Sequence, residues 1–392
     1  MSFLKSIKLS GFLSFPPDAE AIPLTPLNVI IGPNGSGKSN LIEAIELLRG
    51  TPTAFASVIR DGGGAQEWMW KGADRSNVAT IEAIITGTSP IPDLRYRLQF
   101  APQGMRTEVI DEAIEELEKK NTEAKDVYFY YRFQQGHPVL NIRDDAGSKQ
   151  RKLQREDLIP DESVLSQRKG KDEYPEITWL GRQFGSIQTF REWSFGRYAA
   201  VRQPQPAGLP TDALTADSRN LAQLLNELEF SGASTEFNRL MKRFLPRYQK
   251  FSVRIQANSV QLYLHEDGLA TPVSATRLSD GTIRFMAILA LLLSPDPPPL
   301  LCIEEPELGL HPDSLNLLAD VLVTASKWMQ LIVTTHSDTL ISALTEEADS
   351  VLVCNHVGGT TFERVNKEQV EHWLEDYRLG EAWRVGAIGG NP

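Results

Sequence analysis

The residues able to do chemistry cluster in a few short stretches. The first is Gly32-Pro33-Asn34-Gly35-Ser36-Gly37-Lys38-Ser39, a glycine, four residues, then Gly-Lys-Ser. Glycines at this spacing let backbone N–H groups turn toward one point, where they can hold phosphate oxygens. Lys38 would neutralise β- and γ-phosphate charge and Ser39 would ligate Mg²⁺. The residues from Gly32 to Ser39 (Ser36 among them), with Asn40 beyond, are the expected nucleotide contacts. The second stretch, Leu300-Leu301-Cys302-Ile303-Glu304-Glu305, is an apolar run ending in two carboxylates. Glu304 suits the Mg²⁺ shell, and Glu305 suits a base that orients and deprotonates an attacking water. Such a pair can also be only an acidic turn at a strand end. The third, Leu331–Thr335, ends in His336, within reach of a γ-phosphate. A lone histidine is more often structural; its place after the acidic strand favours a catalytic set of Lys38, Glu305 and His336.

These residues need elements to place them. Leu27–Ile31 reads as a buried strand, and Leu41, Ile42, Ile45 and Leu48 follow at helical spacing until Gly50-Thr51-Pro52. Strand, glycine loop and helix in that order put the loop at a helix N-terminus, which favours anions. Leu278-Ser279-Asp280-Gly281-Thr282 leads into an apolar helix, Ile283–Leu293. Ser279 is an N-cap by position. Beyond capping, Ser279 and Gly281 could offer that helix end to a γ-phosphate held by another chain.

Strands are expected at residues 3–9, Val78–Ile85 and Leu94–Phe100. A hairpin is expected from Val127–Phe133 and Val139–Ile142 across Gln135-Gly136-His137-Pro138. Asp111–Lys120 reads as a short acidic surface helix, and residues 144–175 as loop-rich. Leu221–Phe230 and Phe237–Phe244 suggest helices, and Phe251–Ile255 with Val260–Leu264 another hairpin.

The chain of 392 residues is 41% hydrophobic and carries a formal net charge of −11, which argues against a broadly basic nucleic-acid surface. The run Ile288–Leu293 is far too short to span a bilayer, and the first residues lack a signal-peptide layout. Cys302 and Cys354 sit in apolar runs and read as core thiols of a cytoplasmic protein.

The four motifs, taken in order, resemble an ABC-type ATPase head of the SMC/RecF/OLD class. Gly32–Ser39 matches Walker A, Leu278–Thr282 the signature, Glu304-Glu305 Walker B and His336 the switch. Glu305-Pro306-Glu307-Leu308-Gly309-Leu310-His311-Pro312 is similar to the "EPE…LHP" of OLD-like AAA-type ATPases, as is the ending Leu379-Gly380-Glu381-Ala382-Trp383 with Gly389-Gly390. The resemblance implies an α/β P-loop NTPase fold: a RecA-like sheet, an antiparallel β-layer and a helical lobe, without a long coiled coil or Toprim domain. It implies ATP and Mg²⁺ as cofactors. It also makes Gln167 a Q-loop metal ligand, with Gln183 and Gln188 as alternatives. The signature reads Ser-Asp-Gly-Thr where transporters have Ser-Gly-Gly-Gln, and Phe12-Leu13-Ser14 lacks an arginine common in that turn.

The expected organisation is discontinuous. Residues 1–110 and 285–370 build the nucleotide-binding lobe, 111–284 an inserted lobe carrying the Q-loop and signature, and 371–392 a tail. The expected function is Mg²⁺-dependent ATP hydrolysis coupled to a homodimer of ATP-sandwiched heads. That dimer would switch a separate nuclease or toxin-like effector in DNA maintenance or anti-phage defence. A RecF-like DNA-binding ATPase is the alternative. A transporter subunit is disfavoured by Pro306-Glu307 and by the lack of a membrane segment.

Overall fold

The computed structural model describes all residues except 1, 74–75, 105, 120–125, 135–136, 145–146, 153–157, 192, 375–376 and 390–392. Among the described residues the strands form three sheets. The central sheet contains β1 (Leu27–Ile31), β2 (Gln188–Phe190), β3 (Leu300–Glu304), β4 (Gln330–Thr334), β5 (Val351–His356) and β6 (Thr360–Arg364). Their order is β2-β3-β4-β1-β5-β6, all parallel except the last pair.

Both faces of this sheet are buried. Val29, Ile31, Leu301, Ile303, Leu331 and Val333 enter one core, while Ile30, Leu300, Cys302, Ile332, Leu352 and Cys354 enter the other. A parallel strand covered on both sides has no polar face, so each reads as a continuous apolar run. Register then does the positioning. Phe190 pairs with Ile303, Ile303 with Val333, and Val333 with Val29. The residues after each strand therefore emerge along one edge of the sheet, where ligands of open parallel sheets bind.

Helix α1 (Lys38–Gly50) follows β1 directly. Helices α2 (Val164–Gln167) and α3 (Pro175–Gly185) lie against its far end, and α4 (Asp280–Leu292) precedes β3. The helical lobe packs Leu221–Glu229 and Ser234–Phe244 on the hairpin Tyr248–Gln256 and Ser259–Glu266. Phe244 stacks on Phe285 with ring centroids 4.2 Å apart, tying this lobe to α4.

The second sheet is antiparallel and eight-stranded, running from Ile22–Pro23 and Leu4–Ser10 out to Gly147–Lys152. Here two expectations are corrected. Asp111–Glu116 is not a surface helix; it belongs to the strand Arg106–Glu116, and Lys120 lies outside the described residues. Glu112, Glu115 and Glu116 in it are buried and partnered by residues outside the strand. Glu112 accepts from Tyr96 Oη at 2.7 Å and from Val164 N at 2.7 Å, Glu115 pairs with Arg95 and Arg132, and Tyr130 Oη donates to Glu116 at 2.7 Å. Tertiary partners override a local helical pattern. Residues 144–175, expected to be loop-rich, contain the edge strand Gly147–Lys152 and α2. The expected hairpin forms with Gln134 opposite His137, its Gln135-Gly136 turn lying outside the described residues.

The expected lobe boundary after residue 110 falls inside the strand Arg106–Glu116, and β2, from the middle of the chain, joins the central sheet. No helix among the described residues is long and apolar enough to cross a membrane.

Candidate active site

The loop between β1 and α1 is built around three glycines in conformations that L side chains rarely adopt. Gly32, Gly35 and Gly37 have φ of 149°, 76° and 107°. A Cβ at Gly32 would collide with the Cys354 carbonyl and one at Gly37 with Thr360 Oγ1, so β5 and β6 wall the loop from behind. Thr360 Oγ1 also donates to Ser36 O at 2.7 Å. Pro33 is partly exposed, and Asn34 and Gly35 are exposed on the crest. Lys38 is buried and donates from Nζ to Gly32 O at 2.8 Å and Pro33 O at 2.9 Å. Burial lowers the pKa of its amine, an effect opposed by the neighbouring Cys354, Glu305 and Glu304. A lysine held this way has donors ready for phosphate oxygens in place of carbonyls.

Across the edge stand the carboxylates. Glu304 ends β3, and its pKa is raised by burial against the lowering effects of Arg191 and the Ser39 hydroxyl. Its Oε1 is buried without a hydrogen bond, approached by Arg191 Nε as an ion pair at 3.3 Å. The exposed hydroxyl of Ser39 and an orphaned carboxylate oxygen are hard oxygen donors and fit Mg²⁺. Glu305 is a non-glycine residue with φ of 47°, the left-handed region, and its N–H donates to Thr334 O at 3.0 Å. That conformation points to a functional constraint at the strand end. Its Oε1 lies 3.7 Å from His336 Nε2. Burial lowers the His336 pKa, as does Lys38, while Glu305 raises it.

Glu307 anchors the histidine loop. Its buried carboxylate accepts from Thr335 Oγ1 at 2.5 Å and from His336 N at 3.1 Å. Burial raises the Glu307 pKa in spite of these bonds. The helix Asp338–Ala343 that begins beyond His336 is backed by Leu379–Arg384, where Gly380 abuts the Asp338 carbonyl too closely for a Cβ and Trp383 is fully buried.

The structure thus brings Lys38, Ser39, Glu304, Glu305 and His336 to one edge. Asn40 is beside the loop and spends its amide on Ser14 Oγ at 2.7 Å. Ser279 caps α4, accepting from Thr282 N at 3.1 Å, and is exposed together with Asp280. Gly281 fits against the Gly309 carbonyl, where a Cβ would clash. Gln167 is not brought to the edge. Its side chain accepts from Ile159 N at 2.7 Å and donates to Glu162 O at 2.9 Å. Leu165 beside it lies near Pro52, past the C-terminal end of α1. That helix of 13 residues is about 20 Å long, and the phosphate loop is at its other end. Of its alternatives, Gln188 begins β2 opposite Leu301, at the wrong end of the strand. Gln183 lies on α3, which also packs at the far end of α1. Phe12 and Phe15 are core residues, Phe15 stacking on Phe362.

Sequence reasoning missed Arg191, which stands just past the end of β2 beside Glu304, where Gln167 does not reach. The signal was available: Ile187–Phe190 is a short β-prone run ending in a charge, like Ile303-Glu304. It also missed Arg284 on α4, set over the rings of Trp193 and Phe195 and donating to Glu305 O at 3.3 Å. Buried Arg202 was missed too; it ties Leu278 O at 2.6 Å and Asp280 into the signature turn.

Comparison with known proteins bears on the family and the fold. Residues 27–342 match the family model described as "AAA domain, putative AbiEii toxin, Type IV TA system". The chain is 38% identical over 73 residues to the Old nuclease of Escherichia phage P2, covering 18% of this chain and 12% of that protein. It is 47% identical over 53 residues to the chromosome partition protein Smc of Coxiella burnetii, covering 13% of this chain and 4% of that protein. The chain therefore spans only a small fraction of these relatives. Among solved structures, an Smc head bound to the C-terminal winged-helix domain of ScpA aligns with TM-score 0.60 at 14% identity, over 94% of this chain and 99% of that one. An Smc head with an extended coiled coil from Pyrococcus furiosus, bound to the C-terminal domain of ScpA, also gives 0.60 at 14%, over 96% and 99%. At such identity the likeness establishes the fold.

Proposed function

The chain belongs to this AAA-domain family and is a P-loop ATPase built as an SMC/OLD-like head, and from that premise we propose that it couples Mg²⁺-dependent ATP hydrolysis to pairing of two such heads. The observation carrying the proposal is the convergence of Lys38, Ser39, Glu304, Glu305 and His336 on one sheet edge. Mg²⁺, with Ser39 and Glu304 as its protein ligands, supplies charge neutralisation for the phosphates. Lys38 turns from the loop carbonyls to the β- and γ-phosphates. Glu305 holds and deprotonates the attacking water, and His336, beside it, orients the γ-phosphate. Ser279, exposed at the start of α4, and the partly buried Gly281 beside it face the γ-phosphate of a second head, so nucleotide closes the dimer. The paired state acts as a switch for a separate nuclease or toxin-like effector in the cytoplasm. That switch would serve DNA maintenance or anti-phage defence, a reading supported by the partial likeness to a phage nuclease and to chromosome partition proteins.

Lys38→Ala should abolish ATP binding in calorimetry. Glu305→Gln should still bind ATP, hydrolyse it about 10²–10⁴ times more slowly, and accumulate as a dimer in light scattering. Unchanged ATP binding by Lys38→Ala sinks the phosphate-loop assignment. A wild-type rate in Glu305→Gln moves the base elsewhere.

A further inference from the structure

The end of β2 places one cation among three carboxylates. Arg191 Nε lies 3.3 Å from Glu304 Oε1, its Nη2 2.9 Å from Glu43 Oε1, and its Nη1 3.3 Å from Glu46 Oε2. Both latter acids stand on α1, one and two turns past Ser39. Glu46 is held in place by Thr189 Oγ1, which donates to its other oxygen at 3.0 Å. The guanidinium thus bridges the metal-binding acid and the helix that carries the metal-binding serine.

A guanidinium has five donors and no lone pair, so Arg191 cannot ligate a metal as a glutamine would. It can release one carboxylate and keep the others. A divalent ion on Glu304 needs oxygen lone pairs at about 2.0–2.1 Å, and it is repelled by a guanidinium on the same carboxylate. We infer that Arg191 is a positioning residue that holds Glu304 in the metal-free site, competes with Mg²⁺ for it, and withdraws onto Glu43 and Glu46 when the cation is bound. This rests on Ser39 and Glu304 being the metal pair. It makes the coupling between metal and nucleotide a property of Arg191. Without metal its charge favours phosphates, and with metal it costs affinity.

The test is Mn²⁺ binding, followed by electron paramagnetic resonance, to the full chain holding a non-hydrolysable ATP analogue. Arg191→Met, which brings no oxygen ligand, should bind Mn²⁺ about twofold to fivefold more tightly, the range for removing one partly exposed competing charge. Glu43→Gln/Glu46→Gln should bind it more weakly by a similar factor, because Arg191 then has only Glu304. Unchanged or weaker Mn²⁺ binding in Arg191→Met overturns the inference, even if its melting temperature falls as loss of a purely structural bridge would require. If Arg191→Met does not fold, an unchanged Mn²⁺ affinity in the double variant overturns it. Wild-type protein that binds the analogue but no Mn²⁺ removes the metal pair and the inference together. Tight wild-type Mn²⁺ binding, unmoved by either change, removes the inference alone.

Discussion

Glu112 offers a prediction whose size follows from its surroundings. It is fully buried in the antiparallel sheet and takes hydrogen bonds from Tyr96 Oη, Ser163 Oγ and Val164 N. Burial pushes its pKa from 4.5 to about 7; the three hydrogen bonds oppose this and Asp111 adds to it. A carboxyl whose folded pKa is raised favours folding while protonated. Its contribution is fully present below about pH 4.5, and it is lost as pH rises through about 7. The whole gap corresponds to about 3 kcal/mol, of which about 2.5 kcal/mol is lost between pH 5 and pH 8. Glu112→Gln cannot titrate and removes this dependence while leaving Tyr96, Asp111 and Tyr131 in both proteins. Urea unfolding of wild type and variant at the two pH values measures it. Wild type should lose about 2.5 kcal/mol more than the variant on going to pH 8. Equal losses would show that Glu112 is ionised across the range, and that its hydrogen bonds outweigh burial.

Removing the Glu307 carboxylate strands two donors. Glu307→Ala should lower stability by about 2–4 kcal/mol, as bonds to a charged acceptor are worth, and slow hydrolysis with ATP binding retained; wild-type melting and turnover would refute the anchoring role. Lys38→Ala and Ser279→Arg, each expected to be inactive, should recover hydrolysis when mixed. Random pairing leaves one intact site in half the dimers, about one quarter of the wild-type rate. A fully active Ser279→Arg would make Ser279 a helix cap only.

The phosphate loop, the acid pair and His336 were legible in the sequence because their signals are local. Glycine spacing, an apolar strand and a terminal charge lie within a few residues of one another, and parallel strands buried on both faces leave unbroken apolar runs. The helix beginning at Asp280 and its Ser279 cap were legible for the same reason. The acids of Arg106–Glu116 were not, because their partners come from neighbouring strands and from Ser163, as far as 52 residues away for the Val164 bond. A strand carrying buried acids looks polar until its partners are known. That Arg191 and not Gln167 stands beside Glu304 has the same origin. Which residue stands beside Glu304 is set by the pairing of Phe190 with Ile303, and strand register depends on hydrogen bonds and packing between segments far apart in the chain. Composition and spacing decide what each segment can form; only the folded sheet decides which charges are brought face to face.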